Sequence, residues 1–107
     1  MNSGNIFKIN ALPKGDKEIF ETLASGKHVK IERITSYGQV TPADKWYEPD
    51  KEEWVILLQG KASVELPGGK VFHLGAGDYL HIPAGTKHRV SYTSKEPHCI
   101  WLAAHFI

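Results

Sequence analysis

Short apolar segments separated by turn residues make up most of the chain from residue 27 onward. Their β-branched and aromatic residues are typical of strands, and glycine or proline interrupts them roughly every 8–12 residues. This spacing predicts an all-β sandwich or barrel, because no long helical pattern follows any strand as a parallel sheet would require. The predicted strands are Val29–Ser36, Trp54–Gln59, Ala62–Leu66, Val71–Leu74, Tyr79–Ile82, Arg89–Thr93 and Cys99–Phe106.

The segment before these strands has a helical pattern instead. Asp16 can cap a helix over residues 17–24, and Gly26 can end it. The apolar residues of this segment fall on one face of such a helix. The sequence therefore predicts an N-terminal extension, residues 1–30, whose short helix packs on a barrel domain formed by residues 31–107.

The strand that begins at Trp54 is apolar on both faces as far as Leu58. Such a strand must be covered on both sides. One face can line the barrel interior, and the other must pack on a second sheet, on the helix or on another subunit. We therefore expect a homodimer.

Composition and charge exclude several classes of protein. The 107 residues carry a formal net charge of +1, and no basic stripe of the kind that binds nucleic acid is visible. No apolar stretch approaches the roughly 18 residues that a membrane span needs, and the N-terminus lacks the pattern of a signal peptide. With Cys99 as the only cysteine, the sequence predicts a cytoplasmic domain without an intrachain disulfide.

Two polar residues stand where predicted strands should face the barrel interior. Glu53 leads an apolar strand, although burying a carboxylate is costly unless it is paired, hydrogen-bonded or bound to a metal. His88 follows the tight corner Pro83–Gly85, and strand alternation puts Tyr92 on the same face as His88. Glu53 and His88 are therefore the first candidates for a functional pocket.

The residues around this pair resemble the two signatures of the cupin superfamily. The segment Gly77–His88 contains glycine, five residues, proline, one residue, glycine, two residues and histidine, as the second signature does. Glu53 and Gly60, with six residues between them, resemble the end of the first signature. The resemblance covers about Ile31–Phe106. It implies a cupin double-stranded β-helix, or jelly-roll barrel, to which the short N-terminal helix would be added.

Several positions depart from the cupin pattern. The histidine pair of the first signature falls at Trp46 and Glu48, and Tyr92 replaces the asparagine that closes the second. Through the resemblance, Glu48, Glu53 and His88 become the predicted ligands of a divalent iron, manganese, zinc or nickel ion. The open alternative is a pocket without a cofactor, in which Glu53 and His88 form a hydrogen-bonded pair.

Two further residues are candidates for contact with a small-molecule substrate. Trp46 falls on the inward register of the first signature, where it could stack on a ring or a sugar, although a core or dimer contact is an equal interpretation. His81 is also a candidate, although alternation turns it outward if Leu80 and Ile82 point inward. His105 is not selected for the pocket.

These features leave three classes of function open. The first is a metal-dependent enzyme, dioxygenase- or isomerase-like, that acts on a small molecule. The second is a module that binds a small molecule without catalysis. The third is a metal-free epimerase or isomerase in which His88 is the base and Tyr92 the acid.

Overall fold

The computed structural model describes residues 1–9 and 17–107. The described residues form eight strands and no helix, so none of them lies in a helix long and apolar enough to cross a membrane. The strands are β1 Ile19–Ser25, β2 Val29–Ser36, β3 Glu52–Gln59, β4 Ala62–Glu65, β5 Val71–Leu74, β6 Tyr79–Ile82, β7 Arg89–Thr93 and β8 Cys99–Phe106.

The strands form two antiparallel sheets that enclose the core. One sheet has five strands in the order β1-β2-β8-β3-β6, and the other has three in the order β5-β4-β7. Leu57 and Trp101 of the larger sheet belong to the same buried cluster as Val64 and Leu74 of the smaller one. The predicted all-β, jelly-roll architecture is confirmed.

The predicted strand positions are also confirmed, and five of the seven have the predicted bounds. β3 begins at Glu52 rather than Trp54, and β4 ends at Glu65 rather than Leu66. The agreement is close because glycine, proline and lysine turns interrupt the chain at both ends of each apolar run.

Strand β1 occupies the segment that was predicted to be a helix, and this prediction is wrong for the described residues. Alternate residues of β1 are partly buried, beginning with Ile19, which is the period of a strand. A helix of this length is only marginally stable alone, whereas pairing with β2 along the sheet edge satisfies the backbone groups. Asp16, the predicted cap, lies outside the described residues. The division at residue 30 stays a prediction.

The five-stranded sheet has an inner face toward the smaller sheet and an outer face away from it. Glu53 pairs with His105, so both lie on the inner face, and the neighbouring pair Trp54 and Ala104 lies on the outer face. N-terminal backbone covers part of the outer face, because the Arg33 side chain donates to the carbonyl oxygens of residues 5, 6 and 8. The rest of the outer face is partly exposed and apolar.

Candidate functional site

A cavity of about 330 Å³ opens between the two sheets. This volume is at the lower end of the range for small-molecule pockets. Val55, Ile82 and Trp101 are buried residues of its lining, whereas the exposed Phe20 and Tyr47 lie at its mouth. The cavity therefore combines an apolar interior with an aromatic entrance.

Four carboxylates and two imidazoles give the cavity its chemistry. No lysine or arginine side chain is found among the described residues that line it. Carboxylates that line an apolar cavity focus a negative electrostatic potential on the space inside it. The six side chains are Glu18, Glu32, Glu48, Glu53, His88 and His105.

Glu53 and His88 face each other inside the cavity, as the sequence predicts. Nε2 of His88 lies 3.8 Å from Oε1 of Glu53, which is too long for a hydrogen bond. Nδ1 of His88 is 3.0 Å from the carbonyl oxygen of Thr86, so we assign the ring proton to Nδ1 as the donor. Nε2 therefore carries a lone pair directed into the cavity, on a side chain that is only 9% exposed.

Backbone hydrogen bonds fix both the imidazole and the rim of the cavity. Tyr47 and His88 form an isolated antiparallel bridge, with N···O distances of 2.8 and 2.9 Å. Two residues further along, the carbonyl oxygen of Pro49 accepts from the backbone N–H of Gly85 at 2.7 Å. Gly85 has a φ of 81°, a conformation that favours glycine at this corner. Glu48 lies between these two anchors and is thereby held at the cavity mouth.

A second acid–imidazole pair lies on the same inner face. Nε2 of His105 is 2.9 Å from Oε1 of Glu32, and Lys30 Nζ approaches the other oxygen of Glu32 at 3.5 Å. His105 is therefore a cavity residue that the sequence analysis did not select. The signal was present, since alternation put His105 on the face of the buried Trp101.

Glu18, like Glu32, also lines the cavity and was not predicted from the sequence. Burial raises the pKa of its carboxyl group, and a hydrogen bond from the Ser36 hydroxyl opposes this effect. Ser36 Oγ in turn accepts from Nε1 of Trp101 at 3.2 Å. Glu18 precedes β1, in the segment that the sequence assigns to a helix, so no local pattern indicated its position.

His81 was predicted to line the pocket, but the structure places it on the outer face. It pairs with Trp54 across the ladder, and its Nε2 lies 2.9 Å from Oε1 of Glu52. The physical reason is the alternation noted above, because the buried Ile82 points inward beside it.

Trp46 and Tyr92 also lie away from the cavity among the described residues. Trp46 is 38% exposed, and its ring lies 5.9 Å from the guanidinium carbon of Arg89. Tyr92 is 50% exposed, because the pairing of β7 with β4 shifts by one residue and leaves Ser91 unpaired. This bulge interrupts the alternation that would have put Tyr92 beside His88. Catalytic and substrate roles for these residues remain predictions without geometric support.

The donor set fits a divalent metal ion only in part. The described ranges, residues 1–9 and 17–107, contain no group of three or more His, Cys, Asp or Glu side chains positioned to hold a metal together. Glu53 and His88 converge, whereas Glu48 lines the mouth without completing a triad. The predicted ligand set of Glu48, Glu53 and His88 therefore stays a prediction.

Two antiparallel sheets around a cavity lined by glutamate and histidine define a small cupin. Residues 37–105 match the family model described as Cupin domain. The chain is 39% identical to a candidate mannose-6-phosphate isomerase from Ralstonia eutropha JMP134, over 99% of this chain and 98% of that one, with a TM-score of 0.89. This chain therefore belongs to the cupin family.

Two other similarities are more limited. A cupin superfamily protein from Desulfitobacterium hafniense DCB-2 shares the fold with a TM-score of 0.73 and 19% identity, over 91% of this chain and 84% of that one. The HTH-type transcriptional activator RclR of Escherichia coli K12, specific for RCS, is 38% identical over 47 residues. Those residues are 44% of this chain and 16% of RclR, so the chain spans a small part of this curated relative.

Proposed function

We propose that this cupin is an isomerase-type enzyme that moves a proton on a small polar molecule, with His88 as the general base. The observation that carries the proposal is the unbonded Nε2 of His88. The bond from Nδ1 to the Thr86 carbonyl oxygen fixes its tautomer, and the Glu53 carboxylate lies 3.8 Å away. A general base needs a free lone pair within hydrogen-bond reach of its proton, and the cavity offers such a group.

The chemistry follows from this geometry. Nε2 of His88 accepts a proton from a carbon next to a carbonyl group, and an imidazolium forms opposite the Glu53 carboxylate. The attraction between the two charges favours this proton transfer, because the His88 ring is largely buried. His88 then returns the proton to the neighbouring carbon, so the substrate is isomerised and the enzyme is restored.

Glu18 is a candidate for the acid that gives a proton to the carbonyl oxygen of the substrate and takes one back from the neighbouring hydroxyl group, so that the carbonyl group moves with the carbon-bound proton. Because burial raises its pKa, Glu18 retains a proton to higher pH than an ordinary glutamate. It replaces Tyr92 in this role, since Glu18 lines the cavity and Tyr92 does not do so in the described structure.

The candidate isomerase from Ralstonia eutropha supports this type of reaction. A mannose-6-phosphate isomerase moves hydrogen between neighbouring carbons of a sugar, and the same chemistry suits His88. We carry over the reaction type and not the phosphate, because the phosphate group would meet carboxylates in the cavity described above.

A divalent metal ion between His88 and Glu53 is the second candidate. The observation in its favour is that metal-binding histidines commonly donate their other ring N–H to a backbone carbonyl, as His88 does to Thr86. His88, Glu53 and Glu48 would hold the ion, which would polarise a substrate carbonyl or bind oxygen. We expect elemental analysis of the purified wild-type chain to decide between the candidates. One ion per chain, lost in His88→Gln, would establish the metal-dependent reading.

The remaining parts of the proposal concern assembly and location. The outer face exposes parts of Trp54, Ile56, Tyr79 and Leu102, which suits contact with a second copy of the chain. We propose a homodimer on this basis, and the cytoplasmic location stays a prediction.

Proton exchange with solvent tests the proposed function directly. Aldoses and ketoses, with and without phosphate, are incubated with the chain in D₂O, and ¹H NMR follows loss of the proton next to the carbonyl. We expect exchange with wild type and a fall of about 10²–10⁴-fold in His88→Gln. The exposed-histidine variant His28→Gln is the matched control and should exchange like wild type.

Two outcomes would contradict the proposal. If His88→Gln exchanges as fast as wild type, His88 is not the base. If a ligand raises the melting temperature strongly and is never exchanged or converted, the chain is a binding module without catalysis.

A further inference from the structure

The charges around the cavity define the kind of ligand that it can hold. Two of its carboxylates have partners, since Glu32 pairs with His105 and Glu18 accepts from Ser36. Glu53 faces only the unprotonated nitrogen of His88, and within the described residues neither Glu48 nor Glu53 forms a salt bridge with lysine or arginine. The site therefore holds uncompensated negative charge.

The hydrogen-bonding groups that face this site without a partner are all acceptors. Nε2 of His88 is an acceptor on a side chain nine-tenths buried, and it has no hydrogen-bond donor among the described residues. Carboxylate oxygens of Glu53 and Glu48 are acceptors as well. A ligand that satisfies them must bring N–H or O–H donors. A phosphate dianion brings only acceptors and would leave all three groups unpaired.

The aromatic walls favour the same class of ligand. Tyr47 and Phe20 line the mouth, and Trp101 lines the buried end. Aromatic faces attract organic cations, most strongly where water is excluded. Carboxylates, an acceptor imidazole and aromatic rings together match an ammonium group attached to a small polar skeleton.

We propose that the ligand is a small primary amine whose ammonium group binds the Glu53 carboxylate, with Glu48 attracting it at the mouth and Nε2 of His88 left to the rest of the ligand. The inference deepens the proposed function, and it rests on that function only in taking this cavity as the binding site. A phosphate monoester of the same skeleton is rejected by the carboxylates. The expected substrate class is therefore an amino sugar rather than a sugar phosphate.

Calorimetric titration with matched probes tests this inference. Glucosamine, glucose and glucose 6-phosphate share one skeleton and differ in charge, and ethanolamine and ethylene glycol form a smaller pair. The titrations use low ionic strength and neutral pH, at which both amines are largely protonated. We expect each amine to bind at least about tenfold more tightly than its neutral counterpart, a difference of roughly 1.4 kcal/mol, with glucose 6-phosphate weakest.

Two variants and a control locate the effect in the cavity. Glu53→Gln and Glu48→Gln should each weaken amine binding by about tenfold, a larger loss than for the neutral probes, which have no positive charge to lose an attraction. Glu48 is exposed at the rim, so its replacement does not disturb the core even if Glu53→Gln affects folding. Glu65→Gln on β4 removes one negative charge outside the cavity and should bind every probe like wild type.

The inference is overturned if glucose 6-phosphate binds as tightly as glucosamine. It is also overturned if neither amine binds at millimolar concentration, or if both cavity variants bind the amines like wild type. These outcomes are separable from the proposed function. Amine binding without proton exchange would contradict the proposed reaction and support the proposed ligand class. Proton exchange confined to phosphorylated sugars would support the reaction and contradict the ligand class.

Discussion

Two neighbouring glutamates on β3 meet histidines on opposite faces of the same sheet. On the outer face, Glu52 is 2.9 Å from Nε2 of His81 and also accepts from the backbone N–H of Ala84 at 2.6 Å. On the inner face, Glu53 is 3.8 Å from Nε2 of His88 and forms no hydrogen bond with it. We call the outer pair closed, because its two side chains are hydrogen-bonded to each other, and the inner pair open, because its two side chains are not.

The difference arises from what else each side chain bonds. The hydrogen bond from Ala84, followed by that of His81, lowers the pKa of Glu52 and satisfies its carboxylate. His88 donates instead to the Thr86 carbonyl oxygen, so its second nitrogen and the Glu53 carboxylate are left facing the cavity. The same two residue types thus stabilise structure on one face and remain available to a ligand on the other.

The largest expected effect comes from converting Glu53, and not its neighbour Glu52, to glutamine. Glu53→Gln should slow proton exchange by about 100-fold, because the imidazolium of His88 loses the facing carboxylate. Glu52→Gln, its matched control one residue away, should stay within about twofold of wild type. NMR exchange rates check both, and equal losses in the two variants would contradict the distinction between open and closed pairs.

The second comparison concerns the closed pair inside the cavity. Glu32→Ala removes the partner of His105 and Lys30 from a buried position. We expect the free energy of unfolding to fall by about 1–3 kcal/mol, since removing one member of a buried pair leaves the other unsatisfied. Urea titration measures this loss. Unchanged stability would mean that the Glu32–His105 pair is as open as Glu53–His88.

A smaller effect, with a defined dependence on pH, is expected for Glu18. Because burial raises its pKa, the folded chain binds this proton more tightly than the unfolded chain does. The stabilisation from this group is therefore present at acidic pH and is lost as pH rises through the raised pKa. Glu18→Gln cannot ionise, so its melting temperature should exceed that of wild type at neutral pH, with the difference vanishing in acid. A constant difference at all pH values would contradict this account.

The smallest effect, with the opposite sign, belongs to the outer pair. The folded-state pKa of Glu52 is lowered, so its stabilisation is present at neutral pH and is lost as pH falls through that lowered pKa. Glu52→Gln should therefore melt slightly below wild type at neutral pH, and the two curves should converge in strong acid. Because the Glu52 side chain is 32% exposed, added salt should also reduce the difference. Melting curves that differ equally at every pH would argue against a charged Glu52.

Much of the fold and the centre of the site could be predicted from sequence, because both depend on alternation along strands. The faces of Glu53 and His88 followed from this period. The same alternation puts His105 on the face of Trp101, but His105 was not predicted to line the pocket. The helix prediction failed because an apolar run this short fits either period, and only pairing with β2 decides between them.

Other site residues depend on contacts that no local pattern contains. The bulge at Ser91 turns Tyr92 away from His88 and results from the register between β4 and β7. Tyr47 reaches the cavity because its backbone bridges to His88, a contact between distant parts of the chain. Glu18 likewise lines the cavity, although it lies just before the first residue of β1. The central pair, Glu53 and His88, could therefore be predicted from the sequence, whereas the rest of the site depends on contacts between distant segments of the chain.

The most direct test of the open pair is to determine which nitrogen of the His88 ring carries the proton. A long-range ¹H–¹⁵N spectrum of the histidine rings, recorded at a pH where they are neutral and assigned with His88→Gln, distinguishes the two tautomers. The account predicts a proton on Nδ1 of His88, bonded to the Thr86 carbonyl oxygen, and a bare Nε2. A proton on Nε2 would allow this nitrogen to donate to the Glu53 carboxylate. It would contradict the proposal that Nε2 of His88 has a free lone pair and acts as the general base.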